Sequence, residues 1–151
     1  MLSPLVYANN FIKRAIERDE QLSPMKLQKL LYFLYARYSY RTNQPLFADN
    51  FEKWQYGPAL SEVYTAFQSF GANNINRFHR DSDGEVNIAS ESHKEFMECF
   101  DEVWGRFGWK SGIELSNLTH TEGSAWCRVQ DEGAFLKLED IKEDGDRFFK
   151  E

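Results

Sequence analysis

Apolar residues recur along most of this chain at helical spacing. They are densest in Leu27–Tyr40, LQKLLYFLYARYSY, where almost every position from Leu30 to Ala36 is apolar or aromatic. Leu27, Leu30, Leu31, Leu34 and Tyr38 share one stripe of a helical wheel. Tyr32, Phe33 and Tyr35 carry apolar surface round most of the remaining circumference, the pattern of a helix at the centre of a domain. Lys26, Lys29, Arg37 and Arg41 recur on the side that is left. They predict one solvated edge, with the lysine stems lying along apolar surface.

The same reading places the other elements around this helix. Ser3-Pro4 starts a first helix with the stripe Leu5, Ala8, Ile12, Ala15 and Ile16. Ser23-Pro24 repeats that signal and opens the central helix, about 23–41, which Asn43-Gln44-Pro45 breaks. The aromatic stretch 46–56 has weak periodicity and room for a short extended piece. Gly57-Pro58 is then read as the start of a third helix carrying Leu60, Val63, Tyr64 and Phe67, closed by Gly71. Arg77–Arg80 and Glu85–Ala89 flank the turn-forming tetrad Asp81-Ser82-Asp83-Gly84, which predicts a small β-hairpin at about 76–89. Phe96, Phe100, Val103 and Phe107 mark a fourth helix; Ser111 and Ser124 cap two shorter ones. The acidic tail from Phe135 keeps enough apolar residues to dock on the body. The expectation is a single domain over residues 1–151, mainly α, a compact helical fold around one buried helix with one hairpin.

Composition changes the picture in three places. Aromatic residues make up 16% of the chain, enough ring area to build a substantial core in 151 residues and to leave some rings at a binding surface. The net charge of −6 is unevenly spread: residues 1–80 carry 10 Lys and Arg against 6 Asp and Glu, residues 81–151 carry 8 against 18. Either the acidic half meets a basic partner or the two halves neutralise each other. The acidic total also weighs against nucleic acid, although basic residues interleave with Tyr32 and Phe33 as they do in grooves that stack bases. Finally, Cys99 and Cys127 lack metal-ligand spacing, and no apolar run is long enough for a membrane span or a secretory leader. Reduced thiols in a cytoplasmic protein without cofactor or metal are expected.

Chemistry is sparse. Gly-rich phosphate loops, nucleophile elbows and paired-histidine metal motifs do not occur. His120 and Glu122, followed by Trp126, are the one candidate acid/base pair, and they would need a cleft and a nucleophile. The plainer reading makes His120 a cap for the carbonyls at a helix end.

Three stretches together resemble the Panacea domain, the SocA-like antitoxin family of bacterial and phage toxin–antitoxin modules. The first is Ser23–Phe33, SPMKLQKLLYF, containing Lys26, Gln28, Lys29 and Tyr32. The second is Phe51–Pro58, FEKWQYGP, containing Trp54, Tyr56, Gly57 and Pro58, followed by Val63-Tyr64. The third is Leu118–Trp126, LTHTEGSAW, containing His120, Glu122 and Trp126, with Ala125 where the family commonly has proline. The resemblance implies a helical domain that binds and neutralises a cognate toxin protein, in some relatives as an adaptor to a cytosolic protease. It is not an enzyme on this reading. A phage-associated regulator of a host protein is the alternative, ahead of an enzyme using His120 and Glu122. On physical grounds Gln28 and Lys29 are expected to tie the central helix to the loop carrying His120 and Glu122, supporting the fold or shaping a partner groove.

Overall fold

The computed structural model describes residues 1–150. Within them lie seven α-helices and one two-stranded antiparallel sheet: α1 (Pro4–Arg18), α2 (Pro24–Thr42), β1 (Glu52–Trp54), β2 (Gly57–Ala59), α3 (Ser61–Phe67), α4 (Lys94–Phe107), α5 (Gly112–Thr119), α6 (Ala125–Arg128) and α7 (Leu138–Arg147). The fold is mainly α, as the sequence predicts.

Serine caps set several helix starts. The hydroxyls of Ser3, Ser23, Ser111 and Ser124 each accept a main-chain N–H from the first turn they precede, and Pro4 and Pro24 occupy first-turn positions where no donor is lost. Ser111 and Glu114 form a reciprocal capping box.

Helix α2 is buried on every side: Leu27, Leu30, Leu31, Tyr32, Phe33, Leu34 and Ala36 have no exposed surface. The remaining helices pack round it, with α7, α5 and α4 making its most extensive contacts. Helix α7 approaches most closely. A Cβ on Gly145 would sit 2.1 Å from the Ala36 carbonyl oxygen, so only glycine permits this crossing. Much of the aromatic content goes into this core, where Phe33 stacks on Phe107 at 4.3 Å and Tyr32 and Tyr35 meet Phe51 edge-on.

Two sequence expectations are corrected. The hairpin lies at 52–59, and 76–89 contains no strand. The turn chemistry at the tetrad is real, because the Asp81 carboxylate accepts the N–H groups of Asp83 and Glu85. The flanking segments, however, bond to α1 rather than to each other. Asn9 bonds both the N–H and the carbonyl of His79 and donates to the Asn87 carbonyl; Asn10 does the same for both groups of Ala89. Two buried amides thus satisfy main-chain groups that a partner strand would otherwise take. Correspondingly, Pro58 is a β2 residue, and the third helix begins three residues later.

The polar side of α2 is a solvated edge only towards its end, where Arg41 is exposed. Lys26 and Lys29 are 3% and 2% exposed. Arg37 makes a bidentate pair with Glu102, and Arg41 bonds Glu98 at 2.5 Å. With Arg14–Asp101 and Lys13–Glu91, these pairs join the basic first half to the acidic α4 region. The halves neutralise each other internally.

Candidate functional site

The three motif stretches meet at the hairpin. Strand β1 pairs with β2 in the register Glu52–Ala59, Lys53–Pro58 and Trp54–Gly57, leaving Gln55-Tyr56 as the turn. On its outer edge β1 is joined by the tail, through Lys53 N–H to the Ala134 carbonyl and Gly133 N–H to the Lys53 carbonyl. Strand β1 is therefore paired along both its edges before any side chain is counted.

Helix α2 holds the hairpin's exit. Gln28 donates Nε2–H to the Leu60 carbonyl and accepts the Leu60 N–H, both at 2.9 Å. One residue further on, Lys29 donates from Nζ to the Pro58 carbonyl at 2.8 Å. No carboxylate lies within 4.0 Å of it among the described residues, and burial pulls its ammonium down to about 7. Gly57 makes this proximity possible. Its φ is +118°, and a Cβ there would come 2.5 Å from Thr119 Oγ1 and 2.8 Å from Lys29 Cε.

From the other side, α5 and α6 hold the turn. Ser116 Oγ donates to the Tyr56 carbonyl at 2.6 Å. The two ring nitrogens of His120 lie 2.6 Å from the Ser116 carbonyl and 3.0 Å from the Gln55 carbonyl. A neutral imidazole donates to one of these oxygens and an imidazolium to both. Trp126 donates Nε1–H to the Trp54 carbonyl at 2.7 Å; its ring packs on His120 at 4.0 Å and receives the Lys53 ammonium at 3.9 Å. His120 is thus a bridge between the end of α5 and the turn. Glu122 is exposed and shares no hydrogen bond with it, so the two are not arranged as an acid/base pair.

Other predicted residues go elsewhere. Gln28 and Lys29 reach the hairpin's exit, not the loop of His120 and Glu122, so the expected link runs instead through the hairpin, whose Gln55 and Tyr56 carbonyls meet His120 and Ser116. Lys26 bonds the Gly108 carbonyl at 2.6 Å, with Glu20 at 3.6 Å; burial lowers its pKa and Glu20 opposes the shift. Tyr32 packs against Phe51 beside the hairpin and donates its hydroxyl to Asp144 of α7 at 2.5 Å. Asp144 also accepts from Ala125 N–H and Arg147. Burial raises its pKa while these three donors pull it down. Sequence reasoning missed Asp144, which looks like one more acid in an acidic tail. It also missed Ser116, whose one legible signal is its place a single turn before His120.

Trp54, Tyr56 and Tyr64, with Lys29 and Met25, line an apolar groove of about 210 Å³ on the open face of this assembly. Trp54 packs edge-on against Tyr64 at 5.2 Å. Among the described residues no three His, Cys, Asp or Glu side chains gather into a possible metal site, and no helix is long and apolar enough to cross a membrane.

A buried helix that carries a short hairpin by Gln and Lys bonds, closed by a His–Trp pair, accounts for all three motifs at once. The chain belongs to the family described as Antitoxin SocA-like, Panacea domain, whose pattern matches residues 27–127. Among curated proteins it is similar to Antitoxin SocA of Caulobacter vibrioides, being 30% identical over 123 residues. The match covers 79% of this chain and 65% of that relative, so the chain spans a little under two thirds of its length. No solved structure matches the chain.

Proposed function

We propose that the protein is an antitoxin that neutralises a cognate toxin protein by binding it directly in the cytoplasm. The observation that carries this reading is membership of the SocA-like family over residues 27–127, which takes in the second and third motif stretches and the first from Leu27 onward. Supporting it, the polar motif groups Gln28, Lys29, His120 and Trp126 Nε1–H are engaged in holding the hairpin, while Tyr56 and Tyr64 remain at the surface. That division suits a binding module. A finer form of the reading makes the protein an adaptor that hands the bound toxin to a cytosolic protease. The test is co-expression with the product of the neighbouring gene. The expected result is restored growth and a complex that survives gel filtration; continued toxicity with no complex refutes the reading. Shortened toxin lifetime only in cells holding both the protein and the protease identifies the adaptor form, and an unchanged lifetime rejects it.

A further inference from the structure

We propose that His120 is a proton-operated latch on the hairpin turn: with both ring nitrogens protonated it holds the Gln55 carbonyl, and on losing one proton it lets that carbonyl go. The device goes beyond the binding of a toxin and does not depend on it.

Both nitrogens of the ring face oxygens that can only accept. Nδ1 lies 2.6 Å from the Ser116 carbonyl and Nε2 lies 3.0 Å from the Gln55 carbonyl. A neutral imidazole has a single N–H, so in either tautomer one nitrogen lone pair is set against a carbonyl oxygen at hydrogen-bonding distance. Only the imidazolium turns both contacts into bonds, and a charged donor makes the stronger kind. The ring is kept at this place by Trp126, which packs on it at 4.0 Å, and by its own N–H, which bonds the Asn117 carbonyl at the end of α5.

The two contacts are unequal, which decides the one that opens. A lone pair facing an oxygen across 2.6 Å is repelled more than one across 3.0 Å, so the neutral ring keeps its proton on Nδ1, towards Ser116. That carbonyl is also fixed within α5. The Gln55 carbonyl instead belongs to an exposed two-residue turn, where water can replace the lost donor. The bonds from Ser116 to Tyr56 and from Trp126 to Trp54 contain no group that changes charge, so the stem stays attached while the turn loosens. Tyr56, 58% exposed, sits in that turn, and the proton therefore sets how firmly its ring is presented.

No counter-ion fixes the charge of the imidazole. Neither nitrogen pairs with a carboxylate among the described residues, and Glu122 is exposed and unbonded to the ring. On α6, Cys127 donates its thiol to the His120 carbonyl, and Arg128 is taken up by Asp140 and Glu143. On β1, Glu52 is engaged by Trp54 and Ser61, while the Lys53 ammonium lies 3.9 Å from the Trp126 ring and works against a second cation beside it. The two carbonyls favour the second proton and Lys53 opposes it. Its presence is thus left to the solution, and imidazole is the side chain that changes charge between about pH 5 and 8.

The test is NMR of the full-length protein, labelled with ¹⁵N and ¹³C, from about pH 5.5 to about pH 8.5, the range over which imidazoles change charge. At the acid end both ring nitrogens of His120 should show the shifts of hydrogen-bearing nitrogen. At the alkaline end Nδ1 should keep that shift while Nε2 moves to the lone-pair range, with the Gln55 carbonyl carbon moving in step and that of Ser116 little changed. Exchange of the Trp126 Nε1–H, corrected for base catalysis, should be about threefold to tenfold faster at the alkaline end, the effect of losing one neighbouring hydrogen bond. In His120→Phe, with folding checked by a thermal melt, the Gln55 carbonyl should be indifferent to pH. A proton left on Nε2 at the alkaline end, a Gln55 carbonyl that follows His79 or His93 instead, unchanged exchange at Trp126, or a pH response that survives in His120→Phe overturns the proposal. Should that variant not fold, the nitrogen and carbonyl shifts of the wild type decide alone.

Discussion

Lys29 is the residue whose burial has the most measurable consequence. Its ammonium is 2% exposed, bonds one carbonyl and has no carboxylate in reach among the described residues, so burial lowers its pKa from 10.5 to about 7. The unfolded chain still binds this proton up to about pH 10.5, whereas the folded protein releases it near 7. Between those values the unfolded state holds more protons, and stability must therefore rise with pH. Below pH 7 both states are charged, and the folded state bears the full cost, about 5 kcal/mol. Integrated from pH 7 to pH 9, where the folded group goes from half to almost fully deprotonated, the gain is about 2 kcal/mol.

Lys29→Met isolates this effect, because methionine fills similar space and does not titrate. It also orphans the Pro58 carbonyl, but that offset does not depend on pH. Urea denaturation of both proteins at intervals from pH 6 to pH 9 gives the stability difference at each point. Cys99, raised to about 11 by burial, and the buried tyrosines oppose stability at higher pH, but they titrate alike in both proteins and cancel in the difference. Wild type should gain about 2 kcal/mol on the variant from pH 7 to pH 9, with little change between pH 6 and pH 6.5. A flat difference would show that Lys29 keeps an ordinary pKa through water or a hidden partner. A falling one would reverse the argument.

The remaining expectations concern how the hairpin and its neighbours are fastened. Gly57→Ala forces a side chain into φ +118° and against Thr119 and Lys29, and should cost about 2–5 kcal/mol in urea melts; a loss under about 1 kcal/mol would mean that the turn relaxes freely. Tyr32→Phe removes one of three donors to buried Asp144 and should cost about 1.5–3 kcal/mol by the same measurement, a neutral result marking the bond as dispensable. Asn10→Ala strips both partners from Ala89 and should cost about 1–3 kcal/mol. Hydrogen exchange at the Ala89 amide should accelerate well before global unfolding, and unchanged protection there would refute its role.

What was legible in the sequence was what is decided locally. Ser3, Ser23, Ser111 and Ser124 each announce a helix within a single turn, and the stripe from Leu27 to Tyr38 fixes the central helix to within a residue or two. The hairpin was misplaced because its strands are three residues each, too short to show alternation. The decoy at 76–89 had genuine turn chemistry at Asp81, and only the folded chain reveals that its flanks pair with Asn9 and Asn10, about 70 to 80 residues away. Lys26 and Lys29 were misread for a related reason. Periodicity registers a polar residue and infers solvent; it has no access to the Gly108 and Pro58 carbonyls that let these ammonium groups be buried.

The same distinction bears on what the motifs mean. Gln28 spends both ends of its amide on Leu60, Lys29 its ammonium on Pro58, and Trp126 its N–H on Trp54. A partner could reach these groups only by dismantling the hairpin, so their polar chemistry belongs to the scaffold. Tyr56 and Tyr64 differ, because their rings stand half exposed and their hydroxyls stay uncommitted. Trp109 and Ile113 extend the same open face, yet lie outside all three motif stretches. A scaffold that consumes its motif polarity internally and displays rings on one face can keep its fold while side chains at 109 and 113 change.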